Sequence, residues 1–142
     1  MAHADSDRWT RLIMLHSRVE QRLAEALHRD SALGLSEFRA LCHLAASSDG
    51  ELRMQEVADL VGLNQSTVSR LAGRLERAGL AERCHCAGDR RGVYLGITDT
   101  GRERQARALP VYEATLSGAL DEAAASTDRE LAALTRRLRL PT

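Results

Sequence analysis

The sequence predicts a mainly α-helical fold carrying one small β-hairpin. Three observations predict it. Apolar residues recur at helical spacing through most of the 142-residue chain. The period changes to a strand-like alternation only around residues 80–97, on either side of a polar, Gly-containing tip. Just before that change, two short helical patterns are joined by a tight turn that contains Gly62. A chain of this length normally forms one domain around one core, so residues 1–142 are read as a single unit.

The first helix is expected from about Asp7 to Asp30, with Trp9, Leu12, Ile13, His16, Val19, Leu23 and Leu27 on one apolar face and a cap at Asp5, Ser6 or Asp7. Gly34 breaks the pattern, and Ser36 is the expected N-cap of a second helix burying Phe38, Leu41, Cys42 and Ala45. Residues 47–50, SSDG, read as a turn. The first short helix then covers about Arg53 to Val61, and Gly62 ends it. Asn64 caps the second, whose buried stripe is Val68, Leu71, Ala72 and Leu75. Gly79 supplies its left-handed stop, with Leu80 packing back. After the hairpin, Thr98 caps a long helix from about Asp99 to Ala125, in which Pro110 predicts a kink. Thr127 and Glu130 form an expected capping box for a last helix buried through Leu131, Leu134 and Leu138.

Charge and composition exclude several classes. No apolar run approaches the roughly 18 residues that span a membrane, and the first residues lack the pattern of a secretory signal, so a cytoplasmic protein with no membrane partner is expected. Three cysteines, Cys42, Cys84 and Cys86, are an odd number for a disulfide framework. No nucleophile triad, phosphate-cradling glycine loop or metalloprotease helix is present, which points away from an enzyme and from a cofactor. The 20 basic residues, all Arg, balance 20 acidic ones, which by itself argues against a polyanion partner. The balance is not uniform, however. From Gln65 to Arg91 there are six Arg against three acidic residues.

That local excess coincides with the second short helix, NQSTVSRLAGRLERAGL. Its buried stripe leaves Gln65, Ser66, Thr67, Ser69, Arg70 and Arg74 facing out. These are the residue types that read a DNA major groove. Short hydroxyls allow close approach, Gln pairs with adenine and Arg with guanine. A helix N-terminus also favours phosphate. Helix pairs of this kind occur outside DNA binding, so an interaction module that binds no DNA is the competing reading. The basic hairpin directly after the helix favours DNA, because such a wing extends contact into the next groove.

The run MQEVADLVGLNQSTVSRLAGRLERAGLAER followed by GDRRGVYLGITDTG resembles the multiple antibiotic resistance regulator (MarR) family. The resemblance rests on Glu56, Ala58, Leu60, Leu63, the S-T-V-S-R stretch, Leu75, Glu76, Gly79, Leu80, Arg83, the Asp89-Arg90-Arg91 tip, and Ile97, Thr98 and Gly101. It implies a winged helix-turn-helix regulator in which Arg90 enters the minor groove while Asp89 and Arg91 brace the wing. Which of the two Arg inserts is left open by the sequence. Three positions depart from the pattern. Arg53 replaces an expected Ser or Thr cap, and Cys86 and Ala87 stand where the family's wing often has Asp and Pro.

Two further sites are candidates. Cys84, His85 and Cys86 suggest a thiol or metal sensor, although one short tract cannot complete a tetrahedral site and a structural role competes. Trp9, His16, Phe38 and His43 are candidates to line an effector pocket, against ordinary core or interface packing. The expected whole is a winged helix-turn-helix DNA-binding lobe at 36–98, with helices 7–30 and 99–140 forming the dimerisation lobe. The expected partners are an inverted-repeat duplex DNA operator, a second copy of the chain, and a small-molecule effector.

Overall fold

The computed structural model describes residues 2–84 and 92–141. Its elements run α1 (Ala2–Ser31), α2 (Leu35–Ala46), β1 (Glu51–Arg53), α3 (Met54–Val61), α4 (Gln65–Arg77), β2 (Ala81–Cys84), β3 (Tyr94–Ile97), α5 (Asp99–Ala124) and α6 (Arg129–Leu138). No helix among the described residues is long and apolar enough to cross a membrane.

Two apolar clusters organise the chain. The larger joins the end of α1, α2, α3, α4, the sheet and α5 through Leu27, Phe38, Leu41, Val57, Val68, Leu71, Leu75 and Leu95, all essentially inaccessible. The smaller packs Leu15, Val19 and Leu23 of α1 on Ala119 and Ala123 of α5 and Leu131 of α6. Phe38 stacks on Tyr112 of α5 at 4.9 Å between ring centroids.

The helix limits follow their caps. Gly62 (φ 74°) and Gly79 (φ 73°) take the left-handed conformation that a side chain resists, and each stops its helix. The Asn64 side chain accepts from Thr67 N at 2.9 Å, and Thr98 Oγ1 from Gly101 N at 3.0 Å. The α5 helix continues through Pro110, whose ring lies on the exposed side.

Several expectations are corrected. The first helix begins at Ala2 rather than Asp7, so Asp5, Ser6 and Asp7 are helical, not caps. Its core face runs through Leu15, not His16, and leaves Trp9 (62 % accessible) and Ile13 (48 %) outside the single chain. Ser36 lies inside α2. The cap is Gly34, whose N–H donates to the carboxylate of Glu37, the third residue of the helix, at 3.1 Å, whereas Ser36 is the second helical residue. The last helix is capped by Asp128, not Thr127. The Asp128 carboxylate accepts from Glu130 N and Leu131 N, both at 3.1 Å, and from Arg11 Nε. The bond to Leu131 N, with those to Arg11 and Glu130, holds the Asp128 carboxyl below its usual range. Leu138 is exposed rather than buried.

The hairpin is also larger than expected. Residues Glu51–Arg53 add a third strand, giving the antiparallel order β1-β3-β2. Glu51 pairs with Gly96 and Arg53 with Tyr94 on one edge of β3, while Ala81 pairs with Ile97 and Cys84 with Tyr94 on the other. A strand this short carries no alternation from which to read it.

Candidate nucleic-acid interface

The outward face of α4 is built by the core beneath it. Val68, Leu71, Ala72 and Leu75 are buried, so their spacing turns Gln65, Ser66, Ser69, Arg70 and Arg74 to solvent, with Thr67 half-buried. The helix is presented by the turn Gly62-Leu63, in which both backbone N–H groups donate to Ala58 O at 3.0 Å.

Most of the exposed polar side chains are already held. Ser66 Oγ lies 2.9 Å from Asn64 Oδ1, and Gln65 Nε2 donates to Gln55 Oε1 of α3. Gln55 is itself tied to Asp59 at 3.1 Å. Arg83 of β2 donates to the Ser69 carbonyl and lies 3.4 Å from Ser69 Oγ, while its Nε meets Glu76 at 3.0 Å. Arg74 Nε meets Glu37 Oε1 at 2.8 Å. The Arg70 side chain is exposed and makes no hydrogen bond or ion pair with any described residue. Among the described side chains around the N-terminal half of α4, Arg70 therefore offers an unengaged guanidinium beside neighbours already tied to one another; Arg77, in the last turn, is likewise unpaired.

A groove of about 410 Å³ runs between α4 and the base of the wing, lined by Arg53, Gln55, Gln65, Ser69, Arg83 and Val93 among others. Arg53, Gln55 and Arg83 were not among the expected site residues. Arg53 fills the place of the missing hydroxyl cap. Its backbone N–H donates to Glu56 Oε1 at 3.3 Å, and its guanidinium bonds Tyr94 Oη at 3.0 Å and lies 5.5 Å from the ring centroid. The unusual Arg before the α3 pattern was the available signal, but the tyrosine partner, 41 positions away, was not legible.

Asp89, Arg90, Arg91, His85 and Cys86 lie outside the described residues. Cys84 is half-buried at the end of β2. Cys42 is half-buried in α2, where burial pushes its thiol up, away from the reactive thiolate. No group of three metal-ligating side chains occurs among the described residues.

The four candidate pocket residues lie on two helices, where His16 Nε2 stands 3.8 Å from Glu20 Oε1, the carboxylate that also holds Arg39 beside Phe38. Phe38 belongs to the core, and Trp9 and His16 are exposed on α1. His43 is half-buried on α2. Glu20 of α1 meets Arg39 of α2, and Trp9 lies eleven residues earlier in the same helix, about 16 Å along its axis.

Comparisons with known proteins agree with this geometry. A sequence model of the MarR family matches residues 33–92. The chain is 27% identical over 132 residues to the transcriptional repressor MprA of Escherichia coli K12, covering 91% of this chain and 73% of that one. It is 27% identical over 96 residues to the HTH-type transcriptional repressor MdtR of Bacillus subtilis, covering 68% of this chain, and the match spans only 60% of that repressor's length. Among solved structures, Sco3205, a MarR family transcriptional regulator from Streptomyces coelicolor in complex with DNA, superposes with a TM-score of 0.77 at 28% identity, over 92% of this chain and 81% of that one. The matched helix-turn-helix, the repressor aligned over most of the chain and the shared fold make this chain similar to MarR family regulators.

Proposed function

We propose that the protein is a homodimeric, sequence-specific repressor of transcription that binds duplex DNA through α4 and the wing, and that a small-molecule effector tunes the binding. The observation that carries this reading is Arg70, exposed on the outward face of α4 and flanked by Gln65, Ser66 and Ser69. That set suits base reading in a major groove. The DNA-bound state of Sco3205 supports the same use of the fold here.

In this reading residues 36–98 form the DNA-binding lobe, and 7–30 with 99–140 form the dimerisation lobe. The exposed Trp9, Ile13, Met14, Leu138 and Leu140, all near the two ends of the chain, support a second copy as the occupant of that surface. The protein acts where its operator is, in the cytoplasm, as a binding protein and not an enzyme. Arg90 at the wing tip enters the flanking minor groove, and Asp89 and Arg91 brace it.

Selecting bound sequences from a random duplex pool tests the reading. The recovered site is an inverted repeat with half-site centres about 10 base pairs apart, the spacing a two-fold dimer imposes on one face of DNA. Hydroxyl-radical footprints of that site show a protected centre and two outer patches, and Arg90→Ala loses the outer patches alone. A pool that yields no enriched sequence refutes the proposal. Screening small aromatic acids for release of the selected duplex tests the effector, and finding none that shifts binding removes it from the proposal.

A further inference from the structure

Arg74 and Arg70 stand one turn apart on α4, and the sequence treats them alike. The structure does not. Glu37, in the first turn of α2, divides its carboxylate between two tasks. Oε2 accepts the Gly34 N–H that caps α2, at 3.1 Å, and Oε1 accepts Arg74 Nε at 2.8 Å. The Glu37 side chain is 19 % accessible, whereas that of Arg74 is 48 %. Moving Arg74 onto a phosphate would leave a largely buried carboxylate without its cation. It would also bring the phosphate toward that negative charge.

We propose that Glu37 is a positioning residue that withholds Arg74 from DNA and fixes the rotation of α4, so that Arg70 is the guanidinium that reads. The inference rests on the DNA-binding reading above. Two contacts from other elements hold the helix about its own axis. Its middle is gripped by Arg83 at Ser69, and its C-terminal half is tied by Glu37 at Arg74. The last of these crosses from α2, so the reading face is referenced to the core helix and not only to the wing.

The test is the salt dependence of binding to a short random-sequence duplex, followed by fluorescence anisotropy. Each phosphate contact contributes about 0.9 to the slope of log affinity against log salt. Arg74→Gln is expected to keep the wild-type slope. Glu37→Gln, whose amide oxygen still accepts from Gly34 N–H, is expected to steepen it by about 0.9 for each guanidinium released. The steepening is expected to vanish in the double variant. Circular dichroism melts check that the variants fold, and Arg74→Gln, a change at an exposed position, tests the latch even if Glu37→Gln does not fold. A shallower slope for Arg74→Gln, or a folded Glu37→Gln with an unchanged slope, overturns the latch while leaving the DNA-binding reading intact. Wild-type protein that binds no duplex at any salt concentration overturns both.

Discussion

Glu20 of α1 and Arg39 of α2 form a two-pronged ion pair, with Oε1 to Nη2 at 2.6 Å and Oε2 to Nη1 at 2.7 Å. Both side chains are about a third accessible. The pair ties the first helix to α2, the helix that packs against the helix-turn-helix. Arg39 holds the Glu20 carboxyl below its ordinary range, so its stabilisation is complete above the unfolded-state range near pH 4.5 and is lost as pH falls through the lowered folded value. Glu20→Gln is expected to cost about 1 kcal/mol at neutral pH, less than a fully buried charged pair because solvent screens this one. Urea melts of both proteins at a series of pH values check it. The gap should close on acidification, and a gap that widens contradicts the assignment.

Gly101 is a close-approach glycine. A methyl built there would collide with the Leu80 carbonyl oxygen and crowd Ile97 Cγ1 at 2.9 Å. That carbonyl is fixed, since it accepts from Thr98 N at 3.1 Å where the wing joins α5. Gly101→Ala is therefore expected to destabilise by about 3 kcal/mol, the upper part of the usual range for overpacking. Gly62→Ala meets no neighbouring atom and should cost only about 1 kcal/mol through its positive φ. Thermal melts that rank the two in the opposite order would count against the built contact.

Replacing Arg70 by Ala should weaken binding to the selected operator by about 1–3 kcal/mol and relax base preference at one position of each half-site. Titration against single-base operator variants reads this out. A uniform loss across all sequences would reassign Arg70 to phosphate.

Trp9 is the only tryptophan, and it is exposed in the single chain. If it lies in the dimer interface, dilution below the dissociation constant should shift its emission to the red. Trp9→Ala should weaken dimerisation by about 2 kcal/mol, as aromatic anchors do, measured by sedimentation equilibrium. Emission that is independent of concentration, together with wild-type assembly of the variant, would place the interface elsewhere.

What was legible in the sequence was local. Asn64, Gly79 and Thr98 act on residues within one helical turn, and the buried stripe of α4 fixes which side faces out, so these were readable without a partner. The misreadings involve distant competitors or short segments. Asp128 displaces Thr127 as a cap where Arg11, 117 positions away, shares its carboxylate. Glu37 takes the cap from Ser36 and reaches an arginine 37 positions on. The α1 helix carries apolar residues on two sides, and periodicity alone did not separate the side facing its own core, through Leu15, from the side bearing Trp9 and Ile13.

The third strand has a bearing on how the chain reaches this state. Glu51 and Gly96 are register partners 45 positions apart, and the chain between them contains both short helices as well as β2. Closing so long a loop costs entropy that only prior collapse of the enclosed helices can offset. The β1–β3 ladder therefore belongs to the late steps of folding, and mutations in it should speed unfolding more than they slow folding. The same closure makes the wing base the clasp of the helix-turn-helix, so that a peptide spanning only residues 80–98 would lack the edge that completes its sheet.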